Sequence, residues 1–380
     1  MFFLRWILAL LFNQQGQVPS SVTDSYDALL TTTLRAMQPR LRDNISRSNR
    51  FLAWLEKRGR FRKQRGGYNV RVPLMHAQNS TADVMSGYGL VDVTPQDGIT
   101  SAFYDWAQIA VSISISDKEK MQNSGESAAI DLLKAKTMQS EVSAKELLNN
   151  CLMAGKITSG ASATQGQFSA RTGRLDSGAT GPLPLAALID MNASRSVAIG
   201  NINGNTYSFW RNQSKASAAT TFAGLKLDMN NLYNTCSKGV GGNPGLLIGD
   251  QVAWEEYYGA LAALDRYVNA NSSEKDVLGG TDALAFRGAM FIWDETVPDV
   301  QTNAEVVDAI GTVTESTIYF INSESFEWIV HPDADFATTP FVRPENQLAS
   351  TAIIHWMGAI GVNNRRKNGV MGSISQSITS

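Results

Sequence analysis

Apolar and polar residues alternate strictly in the stretch that follows Trp106. Four β-branched residues occupy every second position there, with small or polar residues between them: Ile109, Val111, Ile113 and Ile115. A period of two over this length is typical of a β-strand with one buried face. The pattern therefore predicts a half-buried strand over 106–116.

A long helical pattern follows over residues 126–153. It contains no Pro, and its first Gly, Gly155, stands where helix C-termini favour glycine. Ser124 and Glu126 are typical of a helix N-terminus. The apolar stripe changes sides along the helix, from Ala128, Leu132, Ala135, Met138 and Val142 to Leu147, Leu148, Cys151 and Leu152. We therefore expect a helix roughly 40 Å long that contacts different neighbours at its two ends.

A polar, turn-rich stretch precedes these elements. Tyr68, Val70 and Val72 alternate with polar residues, and Pro73 indicates a sheet edge. Residues 78–100 are weakly hydrophobic, and the apolar strand pattern then returns. A hairpin of this kind cannot bury its own apolar side chains and is marginally stable alone. We expect it to protrude and to need a second surface, most simply on a neighbouring copy of the chain.

The rest of the pattern mixes helices and strands without a repeated strand–helix–strand unit, which predicts an α+β class. Helices are predicted at 183–191, 221–237 and 252–268, strands at 246–248, 286–293, 317–320 and 326–330, and the last long apolar strand at 351–362. A chain of 380 residues is long enough for two or more compact units.

Composition narrows the class of protein. Hydrophobic content of 43% and a mean hydropathy of −0.16 exclude a polytopic membrane protein. Two cysteines provide neither a disulfide framework nor a metal-ligand set. The first residues, MFFLRWILALLF, are similar to a short signal-peptide core without a cleavage site. Secretion, a packed N-terminal extension and an upstream start codon all stay open for this segment.

Charge is concentrated near the N-terminus. Between Arg35 and Arg65 there are eleven Lys or Arg and two acids, whereas the rest of the chain has a net charge of −11. A basic arm on an acidic body favours either nucleic acid or the acidic surface of another copy as its partner, and a solvated arm is the third alternative. Phe51, Trp54 and Leu55 share one helical face, which predicts a short docked helix within the arm.

The search for chemistry is negative at the sequence level. Three histidines stand far apart and form no metal-binding pair; they are His76, His331 and His355. The run GVGGNPG lacks the Lys-Ser/Thr of a phosphate-binding loop, and no Gly-x-Ser-x-Gly elbow is present. Asp333 and Asp335 favour a solvated loop over a calcium site. We therefore predict no catalytic residue, no cofactor and no metal.

Several unusual stretches together carry a resemblance to a known family. They are LRDNISRSNRFLAWLEKRGRFR, YDWAQIAVSISISDKEKMQNSGESAAIDLLKAK, SFWRN at 208–212, RPENQLAS at 343–350 and NNRRKNGVMG at 363–372. In these stretches and in the order of its elements, the chain from about residue 18 onward resembles the major capsid protein of tailed double-stranded DNA phages, the Hong Kong 97 fold.

The resemblance implies a division of the chain. Residues 1–65 would be an N-terminal extension and arm, 66–105 the extended hairpin loop, 106–217 with 336–380 the peripheral domain with spine helix 126–153, and 218–335 the axial domain. Shells of this family that crosslink covalently use a Lys of the extended loop. No Lys occurs here between Lys63 and Lys118, so we expect no such crosslink.

The resemblance also implies a function. The chain would assemble as pentamers and hexamers into an icosahedral shell around phage double-stranded DNA. Its partners would be copies of itself, a separate scaffolding protein, a portal and non-specifically bound DNA, with no membrane. It would lie in the virion capsid after assembly in the host bacterial cytoplasm. Two alternatives stay open: an encapsulin-like compartment for protein cargo, and a soluble enzyme with an unrecognised site.

The candidate site is a set of contacts between copies. Its residues are Arg58, Arg60, Arg62, Arg65, Tyr68 and Trp54. We expect the four arginines to lie against an acidic surface of a neighbouring copy, with part of the arm's charge facing the lumen and its DNA.

Overall fold

The computed structural model describes residues 50–122, 132–154, 162–163, 181–193, 197–239, 241–262, 284–297, 316–375 and 378. Most of the predicted arm, residues 1–49, and the predicted start of the spine helix, residues 126–131, lie outside the described residues. Within the described ranges, no helix is long and apolar enough to cross a bilayer.

The described residues form six α-helices. They are α1 (Arg50–Lys57), α2 (Asp117–Gln122), α3 (Leu132–Ala154), α4 (Leu185–Leu188), α5 (Phe222–Ser237) and α6 (Gln251–Ala262). Helix α3 confirms the predicted long helix from residue 132 onward. Helix α5 confirms the prediction at its N-terminus, where Thr221 accepts a hydrogen bond from the backbone N of Gly224 at 3.2 Å.

The strands combine with these helices into a mixed architecture, which confirms the α+β class. They are β1 (Phe61–Lys63), β2 (Asn69–Met75), β3 (Ile99–Asp105), β4 (Ala107–Ser116), β5 (Ser162–Ala163), β6 (Ala198–Ile199), β7 (Ile202–Asn203), β8 (Gln213–Ala216), β9 (Leu246–Gly249), β10 (Leu284–Phe286), β11 (Ala289–Trp293), β12 (Ser316–Ile321), β13 (Phe326–Val330), β14 (Ala337–Thr338), β15 (Ala349–Val362) and β16 (Gly369–Ile374).

A five-stranded sheet is built around β15. This strand pairs antiparallel with β4 along one edge and with β13 and β14 along the other. Strand β1 extends the sheet by pairing parallel to β13. The predicted alternation in β4 is confirmed, because Ile109, Ile113 and Ile115 are buried while Ser112 and Ser114 between them are exposed.

A six-stranded sheet forms the second layer, with the strand order β10-β11-β9-β12-β16-β8. All four residues of β9 and all six of β12 are buried, as expected for inner strands covered on both faces. Helices α5 and α6 pack against this sheet. Their apolar faces and the sheet share one core, which includes Leu225, Met229, Phe291 and Phe320.

The predicted hairpin consists of β2 and β3, which pair antiparallel from Asn69↔Asp105 to Met75↔Ile99. Val70 and Val72 face the core, and the Tyr104 hydroxyl donates to the carbonyl of Val362 at 2.9 Å. A Cβ at Gly361 would stand 3.2 Å from Val72, so the hairpin base lies directly on β15. Beyond the strands, residues 77–98 run without regular structure and are mostly exposed.

The predicted last strand, 351–362, is confirmed as β15, but a further strand follows it. Strand β16 contains two glycines and lacks a long apolar run, so its sequence pattern is weak. The packing requires one of these glycines, because a Cβ at Gly369 would stand 2.8 Å from the sulfur of Cys236. The close packing of α5 on β16 therefore requires a glycine that weakens the strand pattern in the sequence.

The two large sheets exchange segments across the predicted domain bounds. Strand β13 lies within 218–335 but belongs to the five-stranded sheet with β15. Strands β8 and β16 lie within 106–217 and 336–380 but pair with each other in the six-stranded sheet. The chain thus passes from one sheet to the other through short turns at Ser323–Ser325 and Arg365–Lys367.

Candidate functional site

Helix α1 anchors the end of the arm to the body of the chain. Its apolar residues at helical spacing are all buried: Phe51, Leu52, Trp54 and Leu55. Phe51 meets Phe326 of β13 edge-to-face, with ring centroids 5.7 Å apart. The predicted docked helix is therefore present, and Trp54, at 0% exposure, contacts its own chain. Its side chain leaves no surface for a neighbouring copy.

The basic segment after α1 forms the edge of the five-stranded sheet. Phe61 packs against Trp328 with centroids 4.9 Å apart, and the backbone N of Trp328 donates to the carbonyl of Arg60 at 2.9 Å. Arg62 forms an ion pair with Glu327 at 3.5 Å, and Lys63 forms one with Asp335 at 3.4 Å. Part of the basic charge is thus balanced within the chain.

The other candidate residues lie on the same segment. Arg58 places its guanidinium 5.8 Å from the Trp54 ring, and the side chain of Arg60 is half-buried. Arg65 and Tyr68 are exposed, Tyr68 to 96%. The structure thus leaves Arg58, Arg62, Arg65 and Tyr68 exposed on the segment that leads into the root of the hairpin. Trp54 lies in the core, next to the guanidinium of Arg58.

The far end of the hairpin is apolar and acidic. Its large apolar side chains are exposed in the single chain; they include Val84, Tyr88, Leu90 and Val93. Asp83, Asp92 and Asp97 are exposed among them, and no Lys or Arg occurs from residue 72 to residue 117. Hydrogen bonds from the side chain and backbone of Thr94 lower the pKa of Asp92, which keeps that carboxylate ionised.

Sequence reasoning missed a buried cation at the junction of the two sheets. Arg365 is 3% exposed, and its guanidinium donates to the carbonyls of Ala187, Leu188 and Trp210 at 2.8–3.3 Å. It also donates to the side chain of Asn212 at 3.2 Å. Burial lowers the pKa of Arg365 to about 10. Two of the recognised motifs, SFWRN and NNRRKNGVMG, therefore form one hydrogen-bonded junction.

Lys367 makes a similar contact on the other side of the same turn. Its ammonium donates to the carbonyls of Lys238 and Gly239, just beyond the end of α5, at 3.1 and 2.9 Å. A cation at a helix C-terminus balances the helix dipole and the unpaired carbonyls. The signal in the sequence was the run Arg-Arg-Lys, which by itself is typical of a solvated surface.

The described residues offer little chemistry. Burial raises the pKa of the Cys151 and Cys236 thiols to about 12, so neither is a nucleophile near neutral pH. Among the residues that the structure describes, no cluster of three or more His, Cys, Asp or Glu could hold a metal ion. A cavity near the hairpin is lined by Leu74, Met75, His76, Phe209, Trp210, Asn363, Asn364 and Arg366, a set without a carboxylate or a nucleophile.

Comparison with known proteins identifies the fold. No protein family and no curated protein matches the sequence. The cyanophage A-1(L) capsid asymmetric unit matches with a TM-score of 0.61 at 14% identity, over 91% of this chain and 99% of that one. Gordonia phage Cozz matches with a TM-score of 0.51 at 10% identity, over 95% and 98%.

A protein compartment also matches this fold. The holo-SrpI encapsulin complex of Synechococcus elongatus PCC 7942 gives a TM-score of 0.50 at 10% identity, over 89% of this chain and 93% of that one. Identities this low establish the architecture alone. The chain therefore has the Hong Kong 97 fold of phage capsid proteins, as the sequence resemblance implied.

Proposed function

We propose that the chain is a major capsid protein that assembles as pentamers and hexamers into an icosahedral shell around phage double-stranded DNA. One observation carries the proposal: the hairpin loop exposes large apolar side chains that the single chain does not cover, with Tyr88 at 103% and Leu90 at 98% exposure. A patch of this kind is typical of a protein–protein contact. The shared fold makes a second copy the simplest partner.

The remaining parts of the proposal follow from this assignment. The partners are copies of the chain, a separate scaffolding protein, a portal and non-specifically bound DNA, and the place of action is the virion after assembly in the bacterial cytoplasm. In this proposal the chain acts through the contacts between its copies in the shell and does not catalyse a reaction. We assign the peripheral and axial roles to 106–217 with 336–380 and to 218–335, apart from β13, β8 and β16, which we assign by their sheets.

The test is assembly of the purified chain, followed by sedimentation velocity and negative-stain microscopy. We expect capsomers or closed shells without any added cofactor. A compact monomer under every condition of salt, pH and concentration would contradict the proposal, since the loop would then have no partner of its own kind.

An encapsulin-like compartment is the second candidate, because the SrpI encapsulin complex shares the fold with a TM-score of 0.50. The content of purified particles separates the two. Nuclease-protected double-stranded DNA supports the capsid, whereas a stoichiometric protein cargo supports the compartment. The phage capsid takes precedence because its structural match is better, with a TM-score of 0.61.

A further inference from the structure

A cavity opens where strand β2 ends, between three segments that are distant in the sequence. Residues 74–76, at and just after the end of β2, form one wall, the short turn Ser208–Trp210 forms the second, and residues 363–366 form the third. Its volume is about 180 Å³. All of its lining residues belong to one chain, so it does not need a neighbouring copy. We call it the β2-end cavity.

Part of the wall of the β2-end cavity is aromatic. The rings of His76 and Phe209 lie with their centroids 5.0 Å apart and their planes inclined by 30°, and Tyr207 adds a third ring 5.8 Å from Phe209. Phe209 is half-buried and Tyr207 is 51% exposed, so some of this ring surface faces solvent. Such a surface can bind a planar ring by stacking, and it accepts any nucleobase because every base has a π face.

The polar lining is cationic and rich in amides. Arg366 is exposed, and within the described part of the chain no hydrogen bond or ion pair engages its guanidinium. The amide of Asn363 donates to the carbonyl of Glu324 at 3.1 Å, which leaves its oxygen as an acceptor, and Asn364 brings a second amide. Nδ1 of His76 is buried without a hydrogen-bond partner among the described residues. A guanidinium fork binds phosphate, and amides pair with both donors and acceptors.

We propose that the β2-end cavity binds a nucleoside monophosphate, with its base stacked on Phe209 and His76 and its phosphate on Arg366. An aromatic acid would use the rings and the arginine but would leave the amides of Asn363 and Asn364 without partners, whereas the edge of a base offers both donors and acceptors. A free nucleotide and one unit of a single strand present this same chemistry. A base within a duplex does not, because neighbouring bases already stack on its faces.

Isothermal titration calorimetry of the purified chain with adenosine monophosphate (AMP) tests the site. We expect one AMP to bind per chain. Inorganic phosphate, adenosine and benzoate should each bind at least about tenfold more weakly, because each lacks either the base or the phosphate. These three probes therefore separate nucleotide binding from binding of a simple anion or of a ring alone.

Competition identifies the source of the nucleotide. Displacement of bound AMP by a single-stranded oligodeoxyadenylate would assign the site to a unit of a single strand. Binding of AMP that the strand does not displace would assign it to the free nucleotide. A duplex of the same length should displace no AMP, because its bases stay within the stack.

Two variants test the residues, with a matched control. Arg366→Gln should weaken AMP binding by about tenfold or more, because it removes the charge-assisted contact to phosphate. Phe209→Leu removes the stacking ring and should weaken AMP but not phosphate. Arg65→Gln is the control, since Arg65 is also exposed but lies at the other end of the hairpin, before β2, and its affinity for AMP should match the wild type. Thermal unfolding checks that the variants fold, and His76→Gln replaces Phe209→Leu if the latter does not.

Three results would overturn the site. They are a wild-type chain that binds no AMP, phosphate or benzoate that binds as tightly as AMP, and Arg366→Gln that binds AMP as well as Arg65→Gln does. The cavity lies within one chain, so none of these results bears on shell assembly, and the proposed function is tested separately.

Discussion

At the scale of single residues, Arg365 and Arg366 are chemically identical neighbours, but Arg365 is buried and Arg366 is exposed. Arg365 donates to backbone carbonyls from α4 and from the SFWRN stretch, whereas Arg366 is exposed. A buried carbonyl that loses its donor bears the full cost of desolvation. The pair therefore offers a matched comparison within two consecutive positions.

We expect Arg365→Met to lower the free energy of unfolding by about 2–4 kcal/mol, because several buried acceptors lose their partner. Arg366→Met should stay within about 0.5 kcal/mol of the wild type. Urea unfolding of the unassembled chain measures both. An equal decrease in the free energy of unfolding of both variants would mean that the buried hydrogen bonds of Arg365 contribute no more stability than the exposed Arg366 does.

The cysteines give a second prediction at this scale. Cys151 and Cys236 are buried, and burial raises the pKa of both thiols to about 12. The thiolate is the reactive form, so at pH 8 the two thiols of the native chain should react only very slowly with a thiol reagent. In denaturant, both cysteines should react within minutes. A rapid native reaction would place at least one thiol at the surface.

At the scale of elements, the local sequence pattern predicted strands with one solvent-exposed face and helices with recognisable N- and C-terminal residues. The alternation in β4 and the bounds of α5 depend on local sequence, and the structure confirms both predictions. Strand β16 was missed because Gly369 is required by the close packing of α5, a helix far away in the sequence, and glycine is not typical of strands. The ion pairs of Arg62 and Lys63 were missed for the same reason, since Glu327 and Asp335 come from distant elements.

Strand β15 provides a prediction at the element scale. A Cβ at Gly358 would stand 2.8 Å from the carbonyl oxygen of Ile329 in β13, a backbone atom that cannot move aside. Gly358→Ala should therefore lower the free energy of unfolding by about 1–3 kcal/mol. Gly87→Ala in the hairpin loop meets nothing within 4 Å and should be nearly neutral. Thermal melts of the two variants compare them, and a neutral Gly358→Ala would contradict the close packing.

At the scale of the whole molecule, the family resemblance predicted the fold. Charge counting predicted a basic arm, of which the structure describes only the end, from residue 50 onward. The candidate site was only partly predictable. The four arginines and Tyr68 are close in sequence, whereas the burial of Trp54 depends on the packing of α1 against β13 and the rest of the core. Sequence alone could not assign a partner to the arginines, because their nearest acids come from other parts of the fold.

The absence of Lys between Lys63 and Lys118 leads to a prediction about whole particles. The hairpin loop lacks the amine that an isopeptide bond needs. Boiled and denatured particles should therefore run as one band near 41.3 kDa. A ladder of covalent multimers on the gel would show that some other residue forms the crosslink.

The position of β16 has a consequence for how the chain is made. Among the described residues it is the last strand in chain order, yet it lies inside the six-stranded sheet, between β12 and β8. Strand β8 must wait until the residues between Ala216 and Gly369 have all been synthesised before its neighbour leaves the ribosome, and such long-range pairing is slow to form. A chain interrupted before residue 369 cannot complete this sheet.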